Sequence, residues 1–314
     1  MNGEIKKEIR VFKNSWATLI IVVFVLLLSI TYGYYKPYGI DFSQAGSVID
    51  ESQSVSILVV GDLMLDRNVR NIIGRIGFDK FFEGVKGMVK DADISVANLE
   101  GPFTKNPSVT ASLVNKDLQF TFDPSLAPAL ADLGFDILGL ANNHSYNFGR
   151  SGLESTRRYI GSAGMMYYGD PFNKDEISTV ITKNGIRIGF VGFHEFYYTN
   201  FDNVFNEISR LRKDVDVLIV SPHWGIEYKK EPTEEMVNWA HKFIDNGADI
   251  VIGAHPHIVG NTEVYKGKKI YYSLGNFAFD QYFSKETMEG IAVLIKVKKS
   301  LNANDLHFEE IPIV

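Results

Sequence analysis

Between residues 54 and 255 the chain returns repeatedly to one design, a short β-branched run that stops at polar residues. SVSILVV (54–60) stops at Gly61-Asp62, and DISVAN (93–98), FDILGLA (135–141), IRIGFVGF (186–193), DVDVLIVSPH (214–223) and ADIVIGAH (248–255) repeat the pattern. Runs that are apolar on both faces suit strands buried in a largely parallel sheet, because a solvated face would impose polar alternation. Helical patterns separate several of them. Asp123-Pro124 reads as an N-cap followed by proline at the first helical position, Leu126, Leu130 and Leu133 share a face, and Gly134 ends the helix. Pro128 lies inside that stretch and predicts a kink or a shorter helix. Met236, Trp239, Ala240, Phe243 and Ile244 make the apolar stripe of a second helix that stops near Gly247. EVYKGKKIYYSLG reads as a hairpin around Lys266-Gly267, and GIAVLIKVKK as a long strand. The fold class is therefore α/β and layered.

In such sheets ligands gather at the carboxyl ends of the strands. The successive ends here carry Asp62, then Asn98 and Glu100, then Asn142, Asn143 and His144, then His223, then His255 and His257. The chain has no cysteine, so a metal must be held by His, Asp, Glu or Asn. Carboxylates, an amide oxygen and several imidazoles suit one or two borderline divalent ions such as Mn²⁺, Zn²⁺ or Fe²⁺. Each motif alone has a plainer reading: Gly-Asp as a turn, Asn98-Leu99-Glu100 as a cap, Asn-Asn-His as a self-bonded loop, His223 as packing against Trp224. The His255-Pro256-His257 triplet is stronger, since alternate residues of an extended segment point the same way. His194-Glu195 ends another run and lines the same rim or only the core; His241 and His307 read as boundary and structural positions.

The N-terminus has a separate logic. From Trp16 to Tyr34 about 19 residues carry no charge, and as a helix they span roughly 28 Å, close to a bilayer's apolar thickness. Lys6, Lys7, Arg10 and Lys13 precede the segment, and Trp16, Tyr32, Tyr34 and Tyr35 flank it. By the positive-inside rule, residues 1–15 are cytoplasmic, 16–35 form a transmembrane helix, 36–54 a linker, and 55–314 a domain outside the membrane. The net charge of −6 argues against a nucleic-acid partner.

With these blocks in view, GDLML, ANLEGPFT, ANNHSYNFGRSG, SPHWGIEY, GAHPHIVG and IYYSLGNFAFDQ resemble the successive signatures of the CapA-type capsule and poly-γ-glutamate biosynthesis family. The resemblance implies a four-layer αββα sandwich similar to calcineurin-like metallophosphoesterases, with a two-metal centre. It implies Asp62, Glu100, Asn143, His223, His255 and His257 as metal ligands, and catalytic roles for His144 and Asp62. Asn98 competes with Glu100 for the bridging place. Asn98, Asn142, Trp224, Glu227, Asn276 and Asp280 are expected to contact substrate. Two positions depart from the pattern: Met64 stands where phosphoesterases carry a histidine, and Asn147 where the family commonly has an aspartate. The function implied is metal-dependent hydrolysis or transfer on a phosphoester or amide outside the membrane. The alternative is a non-catalytic accessory subunit that binds the anionic polymer or a membrane synthase.

Overall fold

A computed structural model of the protein describes residues 53–110, 118–197, 201–300 and 304–314. The expected anchor and nearly all of the linker lie outside these residues; among the described residues no helix is long and apolar enough to cross a membrane.

Every run singled out above is a strand. β1 (Ser54–Leu63), β2 (Ile94–Leu99), β3 (Ile137–Gly139) and β4 (Met166–Tyr168) pair in parallel. β5 (Ser178–Lys183), β6 (Ile186–His194), β7 (Val217–His223), β8 (Ile250–Ile252), β9 (Thr262–Tyr265) and β10 (Lys268–Tyr271) form a second sheet of order β5-β6-β7-β8-β10-β9, parallel along β6-β7-β8-β10 and antiparallel at both edges. β11 (Asn276–Ala278), β12 (Gly290–Lys298) and β13 (Asp305–Ile313) return to the first sheet, whose order is β13-β12-β1-β2-β3-β4 with β11 beside β1.

β1 shows why these runs are apolar on both faces. Ile57 and Val59 join the core between the sheets, with Ile188, Phe190, Val217 and Ile219 of the second. Leu58 and Val60 face the other way, toward Val69, Val89, Leu130 and Ile160 on the helices of that side. The second sheet's outer face, with Val191, Phe193, Leu218 and Val220, packs on Val204, Ile208, Met236 and Trp239. Helices therefore cover both outer faces of two stacked sheets, and each fully buried branched side chain contributes about 1.5–3 kcal/mol. Among the described residues the helices are α1 (Arg67–Ile76), α2 (Phe78–Phe81), α3 (Lys86–Asp91), α4 (Leu126–Leu133), α5 (Gly149–Ser162), α6 (Asp202–Leu211), α7 (Glu234–Asp245) and the short α8 (Lys285–Met288).

α7 buries the five stripe residues named above, and Thr233 caps it by accepting from the Met236 N–H at 3.2 Å. α4 is shorter than its pattern suggests. Asp123 caps a preceding turn, accepting from the Ser125 N–H at 2.9 Å, and Pro128 falls in the first helical turn, where its missing N–H costs nothing. The β9–β10 turn has positive φ at Lys266 (49°) and Gly267 (76°), the hand that matches strand twist.

Candidate metal centre

The ligand candidates sit on two sheets rather than on one rim. Asp62 and Asn98 lie at the ends of β1 and β2, and Glu100 and the 142–144 loop follow β2 and β3, all of the first sheet; His223 ends β7, and His255 and His257 follow β8 of the second. They meet where the carboxyl ends of β1 and β7 come together.

Two convergent groups result. In one, His223 Nε2 lies 3.0 Å from Asn143 Oδ1 and 3.2 Å from His255 Nδ1. Such separations are short enough for each pair of atoms to share one ion with bonds of about 2.1 Å. Burial, reinforced by the neighbouring imidazoles, holds His223 well below its ordinary pKa and His255 down to about 3, so both rings are neutral, the form metal ligation requires. In the other group, ligand atoms of Asp62, Glu100 and His257 all lie within 4.8 Å of one another. His257 Nδ1 is 3.1 Å from Asp62 Oδ2 and 3.0 Å from Asn276 Oδ1, two acceptors that keep a proton on Nδ1, and Nε2 lies 3.6 Å from Glu100 Oε1, where a bound cation would replace the second proton of the metal-free ring. Burial disfavours charge on His257, yet Glu100 and Asp62 outweigh it and raise its pKa to about 9. Burial likewise pushes the Glu100 carboxyl well up.

Glu100 is the most informative residue. It is wholly buried, and neither carboxylate oxygen accepts a hydrogen bond among the described residues. An acid buried this way costs several kcal/mol unless a cation compensates it. A divalent ion fits the donor set that surrounds it.

The triplet reaches the site by a route different from the extended one expected. His255 and His257 both have positive φ, 97° and 58°. The kink is fixed by the His255 N–H donating to Asp62 Oδ2 at 3.2 Å and the Tyr228 N–H donating to the Pro256 carbonyl at 2.8 Å. Left-handed backbone at a non-glycine residue costs about 1–3 kcal/mol and persists where neighbours over-determine it.

Several expected substrate contacts turn out to hold the site together. Asn98 donates to Asp62 Oδ1 at 2.8 Å and accepts from Asn142 at 3.1 Å, so both ends of its amide orient neighbours. Asn142 Oδ1 accepts from the N–H groups of His144 and Ser145 and shapes their loop. Asn276 braces His257 and donates to Gln281 and to the Thr287 carbonyl. Asp280 pairs with Arg67 and accepts from the Asn68 N–H at the start of α1. Trp224 faces the outer core, donating to the Tyr272 carbonyl at 2.9 Å and stacking on Phe243, so it does not line the polar cluster. Glu227 does approach the cluster, beside His255 and His257.

His144 presents Nε2 to Glu100 at 3.8 Å, while Nδ1 lies 3.0 Å from Asn147 Oδ1. Burial lowers its pKa to about 4, against the raising effect of Asn147. His194 is buried behind His223, their ring centroids 6.0 Å apart, with its Nδ1 directed at the Pro171 carbonyl at 2.7 Å. Aromatic rings complete the walls: Phe120 against His144 at 4.2 Å, Phe196 against His255 at 4.4 Å, and Phe279 against His257 at 4.7 Å. Phe279 lies within IYYSLGNFAFDQ and Phe196 follows a strand-end histidine, whereas no motif marked Phe120.

Two stacked sheets clad by helices, with a histidine- and carboxylate-lined cluster at their strand ends, define a protein of the metallophosphoesterase-like fold. Among solved structures, a phosphatase from Mycoplasma pneumoniae shares the fold with a TM-score of 0.52 and 16% identity, over 83% of this chain and 94% of that one. The model of the bacterial capsule synthesis protein PGA_cap matches residues 56–281, and the chain belongs to that family. It is similar to the capsule biosynthesis protein CapA of Bacillus anthracis, 29% identical over 75% of this chain, and to the PGA biosynthesis protein CapA of Bacillus subtilis, 29% identical over 78%. The matches span 62% and 68% of those two relatives.

Proposed function

We propose that this chain is a membrane-anchored, extracytoplasmic member of the family that uses a divalent-metal centre for hydrolysis or transfer at a phosphoester or amide during capsule or poly-γ-glutamate synthesis. The observation that carries the reading is Glu100, a buried carboxyl group whose oxygens accept no hydrogen bond among the described residues, facing Nε2 of His257 and of His144. Asp62, Glu100 and His257 would hold one cation, and Asn143, His223 and His255 another. Bound divalent ions supply Lewis acidity and neutralise charge on the substrate.

The chain's own part is to orient and to move protons. Asn98 fixes Asp62, and Asn276 fixes the tautomer of His257. His144 Nε2 faces the cluster and is the group placed for proton transfer. Donation from it needs the imidazolium form, which the negative charge of a bound substrate favours. The uncharged segment at 16–34 and the basic residues before it support the anchor.

Metal analysis of the purified full chain, followed by assay on a generic phosphodiester, tests the catalytic reading. Bound transition metal, with turnover lost in His223→Ala, supports it. Absence of metal, with normal polymer output in cells carrying the variant, would support the accessory role instead. Retention of the full chain in alkaline-washed membranes tests the anchor.

A further inference from the structure

Met64 stands where phosphoesterases carry a histidine, and the structure shows why it does not act as a ligand. Its side chain is wholly buried in the core between the first sheet and its helices, and its sulfur accepts from the Asp66 N–H at 3.0 Å. The opposite sheet supplies a carboxylate instead. Glu227 follows β7, and its ligand atom and those of His255 and His257 all lie within 4.8 Å of one another. His257 is common to this group and to the Asp62–Glu100 group. Glu227 is half-buried whereas Asp62, Glu100 and His257 are buried, so it closes the cluster from the solvent side.

The loop that carries Glu227 is firmly held. The Trp224 N–H donates to the Ala254 carbonyl at 3.2 Å, the Tyr228 N–H to Pro256 at 2.8 Å, and the Asn261 N–H to Lys230 at 3.1 Å. The Gly225 N–H donates to Glu195 Oε2 at 2.6 Å. The three backbone bonds tie the Glu227 loop to the segment that bears His255 and His257, and the Glu195 contact ties it to the end of β6. Its charge also acts on both Glu100 and His257, helping to raise each.

Resting on the metal-centre reading above, we propose that Glu227 is itself a metal ligand, completing with Asp62, Glu100 and His257 an oxygen-rich cation position. The centre is then asymmetric. Three carboxylates and one imidazole suit a hard ion such as Mn²⁺, whereas Asn143, His223 and His255 form a nitrogen-rich position that suits Zn²⁺. His257 is the residue through which Glu227 and the Asp62–Glu100 pair converge on that position.

The test is Mn²⁺ loading of the chelator-stripped full chain, read by metal-to-protein ratio and by electron paramagnetic resonance. The wild type is expected to hold two Mn²⁺ with a spin-coupled signal. Glu227→Gln is expected to hold one, with an uncoupled six-line signal and at least tenfold weaker binding of the second. Glu231→Gln, an exposed neighbour, is the control and keeps both. Equal melting temperatures of the metal-free variants exclude a folding defect. Two ions bound with unchanged affinity in Glu227→Gln would overturn the role of Glu227 and leave the metal centre standing. No Mn²⁺ in the wild type would overturn both.

Discussion

His223 Nε2 and Asn143 Oδ1 lie 3.0 Å apart although 80 positions separate them in the chain and they sit at strand ends of different sheets. That contact joins the two halves of the candidate centre, and a ligand bound there should tie the sheets together. In the wild type, Mn²⁺ at a hundred times its dissociation constant should add about 3 kcal/mol of stability, raising Tm by several degrees. His223→Ala should lose most of that gain. Differential scanning calorimetry with and without chelator measures it, and an equal gain in the variant would contradict the assignment.

Asn147 sits where an acid would support a histidine, with Oδ1 at 3.0 Å from His144 Nδ1 and also accepting from the Phe120 N–H at 2.7 Å. Asn147→Asp keeps both acceptor contacts and adds a negative charge. The pKa of His144 should rise from about 4, where burial holds it. If His144 donates a proton during turnover, the limb on which kcat falls with rising pH should move upward. An unmoved profile would show that His144 carries no proton in the rate-limiting step.

Gly61 precedes Asp62 where β1 runs beside the 274–276 segment. A Cβ at Gly61 would lie 1.9 Å from the Gly275 carbonyl oxygen, which also accepts from the Asp62 N–H at 3.1 Å. Gly61→Ala must therefore separate the strands, at a cost of roughly 3 kcal/mol or more. Chemical denaturation should show that loss together with weaker metal binding. A variant with native stability would mean that the backbone relaxes there freely.

Buried histidines set the acid stability of the metal-free protein. Burial lowers His194 from 6.5 to about 4, against the hydrogen bond to Pro171. Between those values the unfolded chain binds a proton that the folded chain refuses. The contribution of His194 is therefore full above about pH 6.5, falls as pH falls toward 4, and changes no further below that. The loss approaches about 3 kcal/mol for this residue. His144 at about 4 and His255 at about 3 act in the same direction. His194→Asn, which keeps a donor toward Pro171, should flatten part of the slope in denaturant titrations across pH 4–7. An unchanged slope would assign the effect to the other rings.

The sequence by itself determined the strands, because runs apolar on both faces can be satisfied only inside a layered core. It also marked the residues at their ends, the α7 stripe and the β9–β10 turn, all of which follow from local periodicity and backbone preference. It did not reveal that Asp62 and His223 belong to different sheets, since strand partnership depends on contacts between distant segments. Nor did it show that His255 and His257 are turned inward by left-handed backbone. Only the tertiary structure decided which polar side chains face the centre and which brace it: Trp224 went to the core, Asp280 to α1, Asn98 and Asn142 to orienting neighbours, and Glu227 to the two histidines. Local pattern records which faces must be dry, whereas the direction of a polar side chain is set by whatever the rest of the fold places opposite it.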